Sequence, residues 1–169
     1  SAMVVAPAAC WTAMAHENAR AVITSASGKQ LDGQTGRAIR HMCEQVNMMH
    51  GGYKPWDIKY REYTYRPQPD RPDIYSTIEM FATDEAGKAE GYHPHIDGGV
   101  FAYIPDEAKS IAEPLWEAIE RCNGKTHWMN VSSPGQPLGK FYEYATSGRW
   151  WTRKVTAYDC PHIKRDEID

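Results

Sequence analysis

Near its amino end the chain reads Ala8-Ala9-Cys10-Trp11-Thr12-Ala13-Met14, an apolar stretch that begins a predicted helix over residues 8–23. The start of a helix presents unpaired backbone N–H groups and the positive end of the helix dipole. Both lower the pKa of a thiol, so that the thiolate becomes a usable nucleophile. The sequence therefore predicts that Cys10 is a catalytic nucleophile, and the rest of the chain is interpreted around it.

Composition restricts the classes of protein that fit. The chain has 169 residues, 41% hydrophobic and 24% charged, which is typical of one soluble globular domain. A formal net charge of −3 argues against nucleic acid as the main partner. No apolar run is long enough to cross a bilayer, so no membrane partner is expected. The four cysteines contain no CxxC pair, which argues against a zinc ribbon and favours a reducing compartment.

The order of predicted elements indicates an α+β fold, with helices first and a mostly antiparallel sheet second. A second helix is predicted over 35–50 and a third over 105–122, with Pro114 inside it. Strands are predicted over 56–66, 73–83, 99–104 and 125–132, with a closing hairpin formed by 140–145 and 150–158. One domain is thus expected, with a helical lobe at about 4–52, a sheet lobe at about 53–163 and a frayed tail at 164–169.

A thiol nucleophile needs an imidazole within hydrogen-bond reach and donors for the oxyanion. His127 opens the strand that follows the last long helix, so it is the candidate general base for Cys10. Glu143, on the next predicted strand, is a candidate third member that orients the imidazole. Whether the site is a dyad or a triad stays open at this point.

Two motifs carry a resemblance to a known family. Cys10-Trp11 at a helix start resembles the Cys-Trp start of viral papain-like cysteine proteases, among them the foot-and-mouth disease leader protease, the rubella protease and the alphavirus non-structural protease. Thr126-His127-Trp128-Met129-Asn130, then Pro134-Gly135 and Gly139-Lys140-Phe141, is similar to the alphavirus pattern of His-Trp-Asp-Asn, Pro-Gly and Gly-aromatic.

The resemblance implies a papain-like fold and a thiol endopeptidase that needs no cofactor. Cys10 would attack the scissile carbonyl and His127 would take its proton, with Trp11 and Trp128 as cleft wall or oxyanion donors and Asn130 as an orienting residue. The implied substrate is a viral polyprotein in the host cytoplasm, and ubiquitin-like modifiers are a second substrate class that the sequence leaves open.

The main alternative is a metal-dependent enzyme. Tyr92-His93-Pro94-His95-Ile96-Asp97 contains His-x-His and His-x-Asp, which are metal-ligand spacings, with Cys160 or His162 as a distal ligand. A short motif of this kind is also found in polar turns that bind nothing. The third interpretation is a non-catalytic binding domain, suggested by the aromatic residues of the predicted strands. The primary hypothesis includes no metal site.

Overall fold

The structure is a computed structural model that describes residues 2–82 and 89–159. Its α-helices are α1 (Ala2–Ala15), α2 (Gly28–Gln30), α3 (Arg37–Met49), α4 (Glu113–Arg121) and α5 (Lys140–Thr146). Its strands are β1 (Arg20–Ser25), β2 (Trp56–Ile58), β3 (Glu62–Tyr65), β4 (Ser76–Ala82), β5 (Phe101–Asp106) and β6 (His127–Trp128). A π-helical segment, Leu31–Gly36, joins α2 to α3, and 3₁₀ turns occupy Ala108–Ser110 and Ala157–Asp159.

The six strands form one mixed sheet in the order β2-β3-β4-β1-β5-β6. Strand β1 is parallel to β4 and to β5, and β5 is parallel to β6. Only the β2–β3 and β3–β4 pairs of the described sheet are antiparallel. The predicted antiparallel, papain-like sheet is therefore wrong, because the centre of the sheet is parallel.

Strand β1, which lies at the centre of the sheet between β4 and β5, is not among the predicted strands. The predicted helix over 8–23 is wrong in its second half: α1 ends at Ala15, and the chain turns at Asn18, which has a positive φ of 53°. Strand β1 is buried along nearly its whole length. A parallel strand buried on both faces is a continuous apolar run, and such a run resembles the continuation of an apolar helix.

Helices cover both faces of the sheet. Helices α1 and α3 pack on one face, where Ala21, Ile23 and Ile104 belong to the same buried cluster as residues of both helices. Helix α4 packs on the other face through Leu115, Trp116 and Ile119, against a second cluster of buried strand residues. The division into a helical lobe and a separate sheet lobe is therefore wrong, since one sheet organises the whole described chain.

The last third of the chain differs from its prediction in three places. Pro105 and Asp106 end β5 and do not begin a helix, and α4 starts at Glu113 with Pro114 in its first turn, where proline is favoured and causes no kink. Residues 140–146 form helix α5 rather than a strand, and 150–156 contain no regular element. The predicted tail at 164–169 lies outside the described residues.

Candidate functional site

The connections of the sheet diverge between β1 and β5. From β1 the chain passes through α3 to the β2–β4 side, and from β5 it passes through α4 to β6 on the opposite side. In open sheets of this kind ligands bind in the crevice outside the carboxyl ends of the strands, at such a switch point. The residues that end the two strands, Ser25 and Asp106, are direct register partners there.

Asp106 is fully buried at the carboxyl end of β5, at this switch point. Its Oδ2 accepts a hydrogen bond of 2.7 Å from Thr35 Oγ1, and its Oδ1 accepts one of 3.0 Å from the backbone N–H of Glu107. Within residues 2–82 and 89–159 no Lys, Arg or His side chain forms an ion pair with it. Burying a carboxylate is costly unless a cation compensates its charge, so the environment of Asp106 fits a bound cation.

Ser25 places a second oxygen-bearing side chain at the same end of the strands. It is fully buried, and its Oγ has no hydrogen-bond partner among the described residues. Side chains alternate between the faces of a strand, so Ser25 lies on the same face as Ala21 and Ile23, the face that Thr35 and Asp106 share. Hydroxyl and carboxylate oxygens are the ligand types that Mg²⁺ prefers, directly or through water.

Glu107 follows Asp106 in a strained backbone conformation. Its φ of 51° and ψ of 45° place it in the left-handed region, which non-glycine residues seldom occupy and which is enriched at functional sites. Its Oε2 accepts a hydrogen bond of 3.3 Å from Ser133 Oγ, which in turn accepts one of 2.8 Å from Lys109 Nζ. Through Ser133, the half-buried Glu107 is linked to the segment that follows β6.

The two proposed protease residues have other partners. Cys10 is 3% exposed, and a hydrogen bond from the Cys43 thiol lowers its pKa, while the same contact and burial raise the pKa of Cys43. His127 is exposed in β6, where its Nδ1 lies 2.9 Å from Thr126 Oγ1. No hydrogen bond joins Cys10 to His127 in the part of the chain that the structure describes.

The supporting residues of that hypothesis are also dispersed. Trp11 is 59% exposed on α1, with its ring edge against His16. Trp128 Nε1 donates a hydrogen bond of 2.7 Å to Asn130 Oδ1, so the indole N–H of Trp128 is already paired within the same segment. Glu143 is exposed on α5.

The alternative metal site has no support in the fold. His93, His95 and Asp97 lie in the segment before β5, at the opposite end of the parallel strands from Asp106. His95 Nε2 lies 2.8 Å from Thr77 Oγ1, and burial lowers the pKa of this imidazole. Among residues 2–82 and 89–159, no three His, Cys, Asp or Glu side chains come together, so the His-x-His and His-x-Asp motif has no third ligand of these types there. Cys160 and His162 lie outside the described residues.

Comparison with known proteins identifies solved structures that share this fold. No family model matches the chain, and no curated protein matches it. Among solved structures, the Thermus phage P74-26 large terminase ATPase domain matches with a TM-score of 0.58 and 17% identity over 85% of this chain and 59% of that one. The large terminase of a thermophilic bacteriophage matches with a TM-score of 0.55 and 12% identity over 79% of this chain and 30% of that one.

The same thermophilic bacteriophage terminase is also matched in complex with ADP, with a TM-score of 0.53 and 14% identity over 79% of this chain and 30% of that one. The chain has the fold of a large terminase ATPase domain. It spans about a third of the thermophilic bacteriophage terminase and somewhat more than half of the P74-26 ATPase domain.

These matches overturn the protease interpretation. The fold is not papain-like, so the expectation of a viral cysteine endopeptidase with a polypeptide substrate is wrong, and neither the metal-dependent alternative nor the non-catalytic binding domain matches. The exclusion of nucleic acid as a partner, drawn from a net charge of −3, is wrong as well, because the matched proteins are terminases.

A phosphate-binding loop of the form G-x-x-x-x-G-K-[S/T] does not occur in the 169 residues. Gly124-Lys125-Thr126 fits its last three positions, but Ile119 stands where the first glycine belongs. This triplet also precedes β6 and so lies at the amino end of the strands. Lys125 Nζ donates a hydrogen bond of 2.7 Å to the Ile119 carbonyl at the end of α4, so its role here is to cap a helix.

One sequence signal pointed to the candidate site and was missed. Phe101-Ala102-Tyr103-Ile104-Pro105 is an apolar run followed at once by Asp106-Glu107. An acidic residue at the end of a buried strand is the arrangement that holds Mg²⁺ in P-loop nucleotide hydrolases. The prediction of a helix start at Pro105 separated the two acidic residues from their strand.

None of the helices within residues 2–82 and 89–159 has the length and apolar composition of a membrane-spanning helix.

Proposed function

We propose that this chain carries the cation-binding and water-activating carboxylates of an ATP-hydrolysing motor domain of the phage large terminase type. The observation that carries the proposal is Asp106, which is buried at the switch point of the sheet, has no ion pair with a cationic side chain among residues 2–82 and 89–159, and is directly followed by Glu107. The fold likeness to an ATPase domain, and to a terminase that holds ADP, supports the same assignment.

Asp106 would hold a Mg²⁺ ion, with the hydroxyls of Ser25 and Thr35 close to the same carboxylate face. When bound, the cation neutralises charge on the phosphate oxygens of the nucleotide. Burial favours this role, because a carboxylate removed from bulk water gains more from a cation than an exposed one does. The fit is specific to hard, oxygen-binding cations, since the crevice offers hydroxyl and carboxylate oxygens.

We assign to Glu107 the role of positioning the water molecule that attacks the terminal phosphate. A carboxylate at this position accepts the water's hydrogen bond and holds it in line with the terminal phosphate. Glu107 has a left-handed backbone, and the hydrogen bond of 3.3 Å that Ser133 Oγ donates to its Oε2 restrains the side chain. The 169 residues contain no phosphate-binding loop of the form G-x-x-x-x-G-K-[S/T]. The proposal therefore concerns the two carboxylates, Asp106 and Glu107, and no phosphate-binding residues.

The test is phosphate release from ATP by the natural protein that carries this chain. Glu107→Gln should lower the rate by ~100-fold or more, because it removes the group that positions the water. ADP binding in the presence of Mg²⁺ should change little. Glu117→Gln is the matched control: this carboxylate is 54% exposed on α4 and pairs with Arg121. Absence of ATP-dependent phosphate release, or equal rates in the two variants, would overturn the proposal.

We also propose that this chain takes part in the packaging of viral DNA. ATP hydrolysis would drive this packaging in the cytoplasm of the infected host cell. Addition of double-stranded DNA should then raise the rate of phosphate release, with an effect that declines as salt concentration rises. A DNA-independent rate would contradict the packaging role and leave the hydrolytic assignment standing.

A further inference from the structure

One buried contact near the candidate site joins residues that are 71 positions apart in sequence. Thr35 Oγ1 donates a hydrogen bond of 2.7 Å to Asp106 Oδ2, and both residues are fully buried. Hydrogen bonds to charged groups are shorter and stronger than neutral ones, and burial removes competition from water. The contact therefore constrains the carboxylate more than a surface contact would.

The backbone around Thr35 is unusual. Thr35 lies in the π-helical segment Leu31–Gly36, one wide turn inside a helix that otherwise runs from Gly28 to Met49. Such turns are rare and are frequently found at functional sites. The wide turn changes the helical phase, so a side chain that the α-helical period would place elsewhere reaches the end of β5.

The packing around Gly36 fixes this turn. Tyr63 Oη donates a hydrogen bond of 3.1 Å to the Gly36 carbonyl. A Cβ at position 36 would lie 3.0 Å from Met80 Cε and 3.2 Å from the Leu31 carbonyl oxygen, so a side chain there would displace its neighbours. The π turn is thus held between β3 and β4, and the position of Thr35 is set by the sheet itself.

With Thr35 on one oxygen and the Glu107 N–H on the other, the plane of the Asp106 carboxylate is fixed. We propose that Thr35 is a positioning residue: it orients Asp106 so that the remaining lone pairs of the carboxylate face the cation. This inference rests on the proposed function. Thr35 acts through Asp106 and has no contact of its own with the reacting atoms.

The experiment compares Thr35→Val, which keeps the shape and removes the hydroxyl, with Thr35→Ser, which keeps the hydroxyl. The readout is Mn²⁺ binding in the presence of ADP, followed by electron paramagnetic resonance, with kcat and KM for ATP measured alongside. Thr35→Val should weaken Mn²⁺ binding by ~10- to 100-fold, the range expected for a hydrogen bond to a charged group. Thr35→Ser should restore most of the affinity. Thr12→Val is the control, because Thr12 is buried and its hydroxyl donates a hydrogen bond of 2.9 Å to the Ala8 carbonyl within α1.

A double-mutant cycle with Asp106→Asn separates positioning from general damage to the fold. If Thr35 acts through Asp106, Thr35→Val should weaken Mn²⁺ binding no further in the Asp106→Asn background. An undiminished effect there, or a Thr35→Val protein that binds Mn²⁺ like the wild type, would overturn the inference. If Asp106→Asn by itself leaves Mn²⁺ binding and phosphate release unchanged, the proposed function fails instead, so the two failures are distinguishable.

Discussion

Ser25 and Asp106 are paired across two parallel strands at the switch point of the sheet, yet no hydrogen bond connects their side chains. The Ser25 hydroxyl is buried without a partner among the described residues. A buried hydroxyl that makes no hydrogen bond destabilises the fold by about 1–3 kcal/mol. The Ser25 hydroxyl lies at the same strand ends as Asp106, which forms no ion pair within the described part of the chain, and this combination fits a polar ligand.

We expect Ser25→Ala to raise the free energy of unfolding by about 1 kcal/mol in the absence of nucleotide, because the variant removes an unsatisfied polar group. Mg²⁺ and ADP stabilise the protein by binding its native state. Because the variant lacks the Ser25 hydroxyl beside the proposed cation, this stabilisation should be smaller in the variant than in the wild type. Urea unfolding with and without Mg²⁺ and ADP measures both effects.

Ser76→Ala is the matched comparison for that prediction. Ser76 is also a buried strand serine, but its Oγ accepts a hydrogen bond of 3.0 Å from the Ala19 N–H and donates one of 2.9 Å to the His16 carbonyl. Its loss should therefore lower stability by about 1–3 kcal/mol. Equal destabilisation by both substitutions would show that Ser25 is satisfied in the native protein.

A second prediction concerns the backbone of Glu107. Glu107→Gly should raise the free energy of unfolding by about 1 kcal/mol relative to Glu107→Ala, because glycine occupies the left-handed region without strain. Both variants should lose phosphate release alike. Equal stability of the two, measured by thermal and urea unfolding, would mean that Glu107 does not retain this conformation in solution.

The local patterns of the sequence predicted several elements well. Spacing of apolar residues at three and four positions predicted a helix over 35–50, and α3 spans Arg37–Met49 with Ile39 and Cys43 buried. The predicted strands over 73–83 and 99–104 correspond to β4 and β5. In these segments side-chain burial follows the local period, so the sequence alone carries the information.

The parallel arrangement and the site could not be obtained in the same way. Val22 and Ile23 face opposite sides of a doubly covered strand, which removes the alternation that distinguishes a strand from a helix. Thr35, which bonds to Asp106, lies in the π turn, and no periodic pattern predicts a turn that breaks the period. Both features depend on tertiary contacts.

A third prediction concerns acid stability. Arg61 donates hydrogen bonds of 2.8 and 2.9 Å to the two oxygens of Asp32, and these bonds hold the pKa of Asp32 below its usual value. A group whose pKa is lower in the folded than in the unfolded state contributes stability above its unfolded pKa, about 3.9, and that contribution is lost as the pH falls below this value.

Asp32→Asn should therefore remove part of the stability at pH 7 and make the variant less sensitive to acid between about pH 4 and pH 2. The loss should be at most about 1 kcal/mol, because the Asp32 side chain is 35% exposed and its charge is partly screened. Asp57→Asn serves as control: its pair with Lys59 spans 3.6 Å between exposed side chains. Identical pH profiles for the wild type and Asp32→Asn would contradict the assignment.

The last prediction separates the motor interpretation from the protease interpretation. Cys10→Ala should leave phosphate release unchanged, because the Cys10 side chain is buried between α1 and α3, where it bonds to Cys43 and not to Asp106 or Glu107. Stability should fall by about 1 kcal/mol, since a small buried apolar group is removed without a large cavity. Parallel assays of ATP hydrolysis and peptide cleavage on the wild type, Cys10→Ala and Glu107→Gln provide the comparison. Peptide cleavage that disappears in Cys10→Ala, with no ATP-dependent phosphate release in any of the three proteins, would restore the thiol-enzyme hypothesis.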